Sequence, residues 1–305
     1  MLARLLGVSG AARPVLAAAH RPILKRDVER MRWCVDGKFV MPDQNPGLRV
    51  EPDFVSAEEA IAIAAELRAA SESYGYGFDG DGRAHLVSST GDIEETLPSV
   101  VNNIRVTGRL EKPDTQVLPP WGHGDAFDPA ALPPAMAQLA AKIAGCGAFR
   151  VGRPRDATIN AREHSFFQLD PHVDPASDGP DVFILGLESS TVVTFTPPDA
   201  ELEARGLPPR RRSGHEIGLQ SWSDADIDVM VQPRSLLHFT GAARSYWMHA
   251  IRAGVQVEGE GAQAAGPSAV CDWWGQPDYL LQRGPRRLSL VLAFGEADEP
   301  VAEPS

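Results

Sequence analysis

Cysteine is scarce in this chain, and the little there is suits neither a zinc site nor a disulfide framework. Cys34, Cys146 and Cys271 are unclustered and odd in number, which points to a reducing compartment and offers no zinc spacing. Long apolar runs are missing too. None reaches the roughly 18 residues a membrane-spanning helix needs, so no membrane partner is expected. No internal repeat is present. A basic excess is also lacking: the net charge is −12, poorly suited to gripping duplex DNA broadly through its phosphates, although a local basic groove is compatible with it. Acids, in turn, are absent from residues 1–26, where Arg4, Arg13, Arg21, Lys25 and Arg26 precede the first carboxylate, Asp27. This Leu/Ala-rich segment reads either as an organellar transit peptide or as a disordered tail. Localisation therefore stays open between mitochondrion and cytoplasm or nucleus.

What remains is an ordinary soluble-enzyme composition, 43% hydrophobic and 23% charged, with ample length for a real core. Ser56-Ala57-Glu58-Glu59 is a capping box opening a helix with Ile61, Ala64 and Leu67 on one stripe, ending between Ser71 and Tyr74. Tyr74 to Gly82 reads as a loop and Val100 to Thr107 as a strand. A second helix begins near Pro133, carries Met136, Leu139 and Ile143 on one face, and stops at Gly145 or Gly147. After about residue 155 the period shortens. ATINA, SFFQL, VFILGL, TVVTFT, SLLHFT, YWMHAI and RLSLVLAF follow one another between turn residues, as in an antiparallel sandwich or barrel. Residues 197–216, which include Arg210 to Arg212, and residues 254–277, which include Trp273 and Trp274, read as long surface loops. Helices first and strands after give an α+β fold with a β-sandwich core.

LDPHVDP, residues 169–175, carries the chemistry. In extended chain, side chains at i and i+2 share a face, so His172 and Asp174 can converge on one ion. Taken alone, the triplet is also an ordinary polar strand end. Further on come SLLHFTGAARSYWMHAI, with His249, and then Arg286-Arg287-Leu288-Ser289. His-X-Asp, a distal histidine and a late Arg-X-Ser meet the needs of a non-haem Fe(II) oxygenase, whose two histidines and one carboxylate leave open positions. A chelating 2-oxo acid and O₂ would use those positions. The acid's remote carboxylate calls for a cation, best supplied by arginine, and Ser289 lies two residues along the same strand face.

These segments resemble the AlkB-like 2-oxoglutarate/Fe(II) dioxygenases, and within them the homologue 4 branch. LDPHVDP is similar to the family's metal-binding turn, VFILGLESSTVVTF to the strand pair after it, QPRSLLHFTGAARSYWMHAI to the distal-histidine segment, and RRLSLVLAF to the terminal arginine strand. GLRVEPDFVSAEEA resembles the family's N-terminal strand and helix more loosely. The resemblance implies a double-stranded β-helix (jelly-roll) core with the N-terminal helices packed on its major sheet. It implies oxidative N-demethylation with Fe(II), 2-oxoglutarate and O₂, acting on methyl-lysine protein or N6-methyladenine-type nucleic acid. His172, Asp174 and His249 would bind the iron, Arg287 the distal carboxylate, and Asn160 the co-substrate. Two departures stand out. A second family arginine, six residues after the first, is Ala293 here, and Asn-X-Tyr reads Asn160-Ala161-Arg162. An inward-facing Arg162 would replace the missing cation.

Other polar residues read as structural. Asp170 suits a turn before Pro171, His164 and His238 suit non-ligand roles, and Arg244 suits a structural ion pair. The expected organisation is a tail (1–26), a dioxygenase domain (27–298, split into an extension, 27–150, and a jelly-roll core, 151–298) and a tail (299–305), acting as a monomer. The competing expectation is a degenerate oxygenase fold serving as a binding or scaffold module, suggested by Ala293 and Arg162.

Overall fold

A computed structural model describes residues 15–17, 45–73, 76–78, 84–86, 103–107, 119–162, 165, 167–206, 225–252, 254–257, 269–274 and 276–297. Arg210 to Arg212, His164 and the tails lie outside these residues. In chain order the first strands are β1 (Val15–Ala17), β2 (Leu48–Glu51), β3 (Tyr76–Phe78), β4 (Ala84–Leu86), β5 (Asn103–Thr107) and β6 (Pro154–Arg162). Then come β7 (Leu169–His172), β8 (Asp181–Gly186), β9 (Thr191–Thr196), β10 (Ile227–Val231) and β11 (Leu236–Phe239). The last are β12 (Met248–Ile251), β13 (Val255–Val257), β14 (Ala269–Trp274), β15 (Gln276–Gln282) and β16 (Arg287–Phe294). Helices are α1 (Ala57–Ser73), α2 (Pro134–Gly145), α3 (Asp199–Ala204) and α4 (Gly241–Ser245).

The capping box starts α1 as its chemistry requires. The Ser56 N–H donates to Glu59 Oε2 at 2.7 Å and the Glu59 N–H to Ser56 Oγ at 3.1 Å. The buried stripe, however, runs through Ala60, Ile63 and Leu67, leaving Ile61 72% exposed. Spacings of three and four place Ile63 under Leu67, and that pair turns the helix one residue away from the expected face. In α2, Met136, Leu139 and Ile143 are buried as expected.

Six strands form the larger sheet in the order β2-β11-β8-β16-β6-β5, every neighbour antiparallel. Both long helices cover one of its faces. There Ala157, Ile159 and Ala161 of β6 and Leu288, Leu290, Leu292 and Phe294 of β16 pack with Ile63, Leu67, Met136 and Ile143. The other face meets a four-stranded antiparallel sheet, β10-β9-β12-β7. Between them Val182, Ile184, Leu237, Phe239 and Ala293 pack on Val193, Phe195, Val229 and Ile251. The result is an α+β architecture of facing antiparallel sheets.

Several expectations change. Residues 254–277 contain β13, β14 and part of β15, which pair antiparallel, with β1 added parallel to β15. Their Gly/Ala-rich composition hides a strand pair whose partners are each other. Trp273 and Trp274 belong to β14 by backbone, their side chains lying outside the description. Within the expected loop at 74–82, β3 pairs with β4, and α3 lies inside the other expected loop. SFFQL is extended only from Leu169, and the strand continues through Asp170 and Pro171, so Asp170 is ladder backbone where a turn was expected. Phe167, just before it, is instead buried under the Arg283 guanidinium, 4.5 Å from the ring centre.

Buried guanidinium groups tie these layers together. Arg252 bonds Asp228 at 2.8 Å and Asp226 at 2.9 Å, while the Thr194 and Thr196 hydroxyls donate to the same two carboxylates. Arg283 places all five N–H donors: two on Asp272 and one each on the carbonyls of Ser165, Phe167 and Arg252. Removing one partner from such a network strands the others in low dielectric. Arg252→Met is therefore expected to lower unfolding free energy by about 3–5 kcal/mol, and Thr194→Val by only about 1 kcal/mol, both read from urea denaturation midpoints.

Candidate metal centre

Strand β7 is the outer strand of the smaller sheet and pairs with β12 through the register His172↔His249 and Ile251↔Leu169. Directly opposed residues of an antiparallel pair bring their side chains together, and the two imidazole centroids are 4.3 Å apart. Asp174, just past the strand end, closes the group. Its Oδ1 lies 3.4 Å from His172 Nε2 and its Oδ2 3.8 Å from His249 Nε2. One ligand atom from each residue lies within 4.8 Å of the others, and this is the one cluster of its kind among the described residues. His249 is buried against the rings of Phe195 and Phe239, at 5.9 and 5.2 Å. The side chain of His172 is 36% exposed, so the group opens to solvent on that side.

Period two in β6 and β16 decides where the other expected residues point. Because Ala157, Ile159 and Ala161 face the helices, Asn160 and Arg162 face the smaller sheet. Val291 and Ala293 do the same on β16, and with them Arg287 and Ser289. Cross-strand register pairs Arg287 with Arg162 and Ser289 with Asn160, so all four form one polar patch on the inner face of the larger sheet. Arg287 is 6% exposed and Ser289 1%. Arg286, its neighbour, is exposed. Burial, before any other cause, disfavours the charged Arg287 guanidinium; the Arg162 and Arg283 charges act in the same direction, and Asp272 opposes them. Arg287 has no hydrogen-bond or ion-pair partner among the described residues, and Ser289 Oγ is buried without one. The patch is a cationic, donor-rich pocket wall in which Arg287 and Ser289 have no acceptor among the described residues.

Geometry bears on three further readings. Arg162 sits beside Arg287, whereas Ala293 opposes Asp156 at the far end of the same strand pair and is fully buried among apolar side chains. Arg162 therefore adds charge to the Arg287 end and does not fill the position of Ala293. His238 lies on the helix side, 2.8 Å from Asp181 and stacked on Phe183 at 4.3 Å, on the opposite face of the larger sheet from the cluster. Among the described residues Arg244 has no ion-pair partner; it donates to the backbone carbonyls of Asp174 and Pro175. Sequence spacing offered no sign of this, because carbonyl acceptors carry no residue type.

No protein-family model and no curated protein matches this chain. Among solved structures it is similar to "The structure of OsALKBH1", at a TM-score of 0.42 and 12% identity, over 82% of this chain and 98% of that one. The overlap is loose, and the chemistry is read from the side chains themselves.

A buried cation and hydroxyl without acceptors cost folding energy that an apolar replacement recovers. In the ligand-free protein, Arg287→Met and Ser289→Ala are each expected to raise the urea midpoint, for Arg287 by the equivalent of about 1–4 kcal/mol of unfolding free energy. A lowered midpoint in both would show that the pair is already satisfied.

Proposed function

We propose that this protein is an Fe(II)- and 2-oxoglutarate-dependent dioxygenase of the AlkB-like type that removes N-methyl groups oxidatively. The observation that carries the proposal is a coincidence on one interior. A His–Asp–His donor set stands on the smaller sheet, and a cationic patch, whose Arg287 and Ser289 lack acceptors among the described residues, stands on the larger sheet facing it. The order in which the chain visits the two sheets supports reading the sandwich as a double-stranded β-helix. Strands β7, β9, β10 and β12 lie on one side, and β6, β8, β11 and β16 on the other.

The donor chemistry fits the metal. Two neutral imidazoles and one carboxylate on a common face suit Fe(II) and leave positions open on the other. Bound there, iron supplies O₂ activation coupled to decarboxylation of 2-oxoglutarate to succinate and CO₂. The chain's own residues do the rest. His172, Asp174 and His249 hold the ion. Arg287 and Ser289 take the distal carboxylate of 2-oxoglutarate, with Arg162 adding charge and Asn160 a polar contact. Phe195 and Phe239 keep water from the His249 side. Hydroxylation of an N-methyl carbon yields a hemiaminal that separates into formaldehyde and the demethylated amine. Methyl-lysine on a protein and N6-methyladenine in nucleic acid are the two substrate classes, and the net charge of −12 favours a cationic protein segment. A second reading, a degenerate oxygenase serving as a binding module, draws on the apolar burial of Ala293 where the family resemblance calls for an arginine.

Succinate and formaldehyde release tests the reading, with Fe(II), ascorbate and 2-oxoglutarate against panels of methyl-lysine peptides and methylated oligonucleotides. Wild type is expected to turn over one panel and His172→Ala neither. Arg287→Met and Arg162→Glu are expected to raise the KM for 2-oxoglutarate about tenfold or more, the loss of a charge-assisted pair. Equal activity in His172→Ala rejects the metal assignment. Metal binding without turnover on any panel favours the binding module.

A further inference from the structure

Asp174 differs from the two histidines in how it is held. The ladder between β7 and β12 ends at the pair His172↔His249, so the carboxylate stands two residues past the last ladder pair. Pro175, which follows, has no N–H to contribute. The turn beyond is pinned by other contacts. Arg155 Nε donates to the Ser177 carbonyl at 2.9 Å, and buried Asp178 meets His123 Nε2 at 2.8 Å. Gly179, at φ 93°, lets the chain pass a carbonyl of β16 so closely that a Cβ would lie 2.2 Å from Phe294 O. These contacts all lie downstream of the carboxylate.

Arg244 grips the backbone of Asp174 itself. Its Nη1 donates to the Asp174 carbonyl at 2.9 Å and its Nη2 to the Pro175 carbonyl at 2.5 Å. Arg244 sits on α4, the helix that leads directly into β12 and His249. That helix is itself fixed: the Thr240 N–H donates to Gly47 O at 2.9 Å, the Ala243 N–H to Pro46 O at 2.8 Å, and Ala243 and Trp247 are buried. One side chain thus joins the segment carrying the third ligand to the backbone of the second.

Arg244 is an expensive way to fill this space. It is 3% exposed, has no carboxylate partner among the described residues, and leaves Nε buried without an acceptor. An apolar side chain of similar volume would serve packing at no desolvation cost. A planar fork spanning two successive carbonyls is something lysine cannot reproduce. We infer that Arg244 is a positioning residue that fixes the carboxylate arm of the metal centre relative to its histidine arms. The inference rests on the iron assignment proposed for the cluster.

Co(II), which reports its coordination through its d–d absorption, separates positioning from packing. Full-length wild type, Arg244→Met, Arg244→Lys and His172→Ala are titrated with Co(II), and the metal-free forms are unfolded in urea. Arg244→Met is expected to keep or raise the metal-free midpoint, and both Arg244 variants are expected to lose about 10- to 100-fold in Co(II) affinity with an altered spectrum. Arg244→Met that binds Co(II) with wild-type affinity and spectrum overturns the inference. If Arg244→Met fails to fold, a folded Arg244→Lys with wild-type affinity overturns it equally. Wild type lacking His172-dependent Co(II) binding removes the iron assignment first, and the inference with it.

Discussion

The pairing of β7 with β12 is the constraint on which the rest of this molecule depends. Two strands distant in sequence meet with His172 directly opposite His249, and the ring separation of 4.3 Å follows from that register. Among the described residues β7 has β12 as its one strand neighbour, so little ladder holds it there. Arginines bracket the seam instead. Arg283 ties Phe167, just before β7, to Arg252, just after β12. Arg244 ties Asp174 and Pro175, just after β7, to the helix before β12. Because the strands run antiparallel, these are the two ends of the same seam. A guanidinium can hold several carbonyls at fixed angles, which apolar packing, being non-directional, cannot.

Stability and chemistry pull apart in this interior. The helix side of the larger sheet is filled with aliphatic and aromatic side chains. The other side carries apolar residues only part of the way and then gives over to Arg162, Arg287, Asn160 and Ser289. The Arg287 guanidinium and the Ser289 hydroxyl, without acceptors among the described residues, are unfavourable for folding under that degree of burial. A carboxylate ligand would cancel both deficits together, since it accepts from each.

Much of this was legible from composition and period. The capping box, the α2 stripe, the alternation of β6 and β16 and the candidate ligands His172, Asp174 and His249 all rest on local chemistry: a cap, a 3.6- or 2.0-residue period, a residue type. The misreadings have equally physical causes. The Ile61 stripe was one position off because α1 presents two overlapping apolar faces and the sheet beneath chooses between them. Strands β13 to β15 were read as loop because their pairing is with one another. Arg244 was read as an ion-pair residue because a sequence displays carboxylates but does not display which carbonyls are left without ladder bonds.

By itself, then, the sequence determined the alternation that puts Arg287 with Ser289 on one face of β16 and Asn160 with Arg162 on one face of β6, and the i, i+2 spacing that lets His172 and Asp174 act together. Both are properties of extended backbone and hold wherever the strands lie. Tertiary structure alone decided that His249 opposes His172, that Arg162 stands beside Arg287 and away from Ala293, and that Arg244 grips the carbonyl of Asp174. Each of these is a matter of register between distant segments. Register is set by the sum of packing over whole sheets, and no single residue announces it.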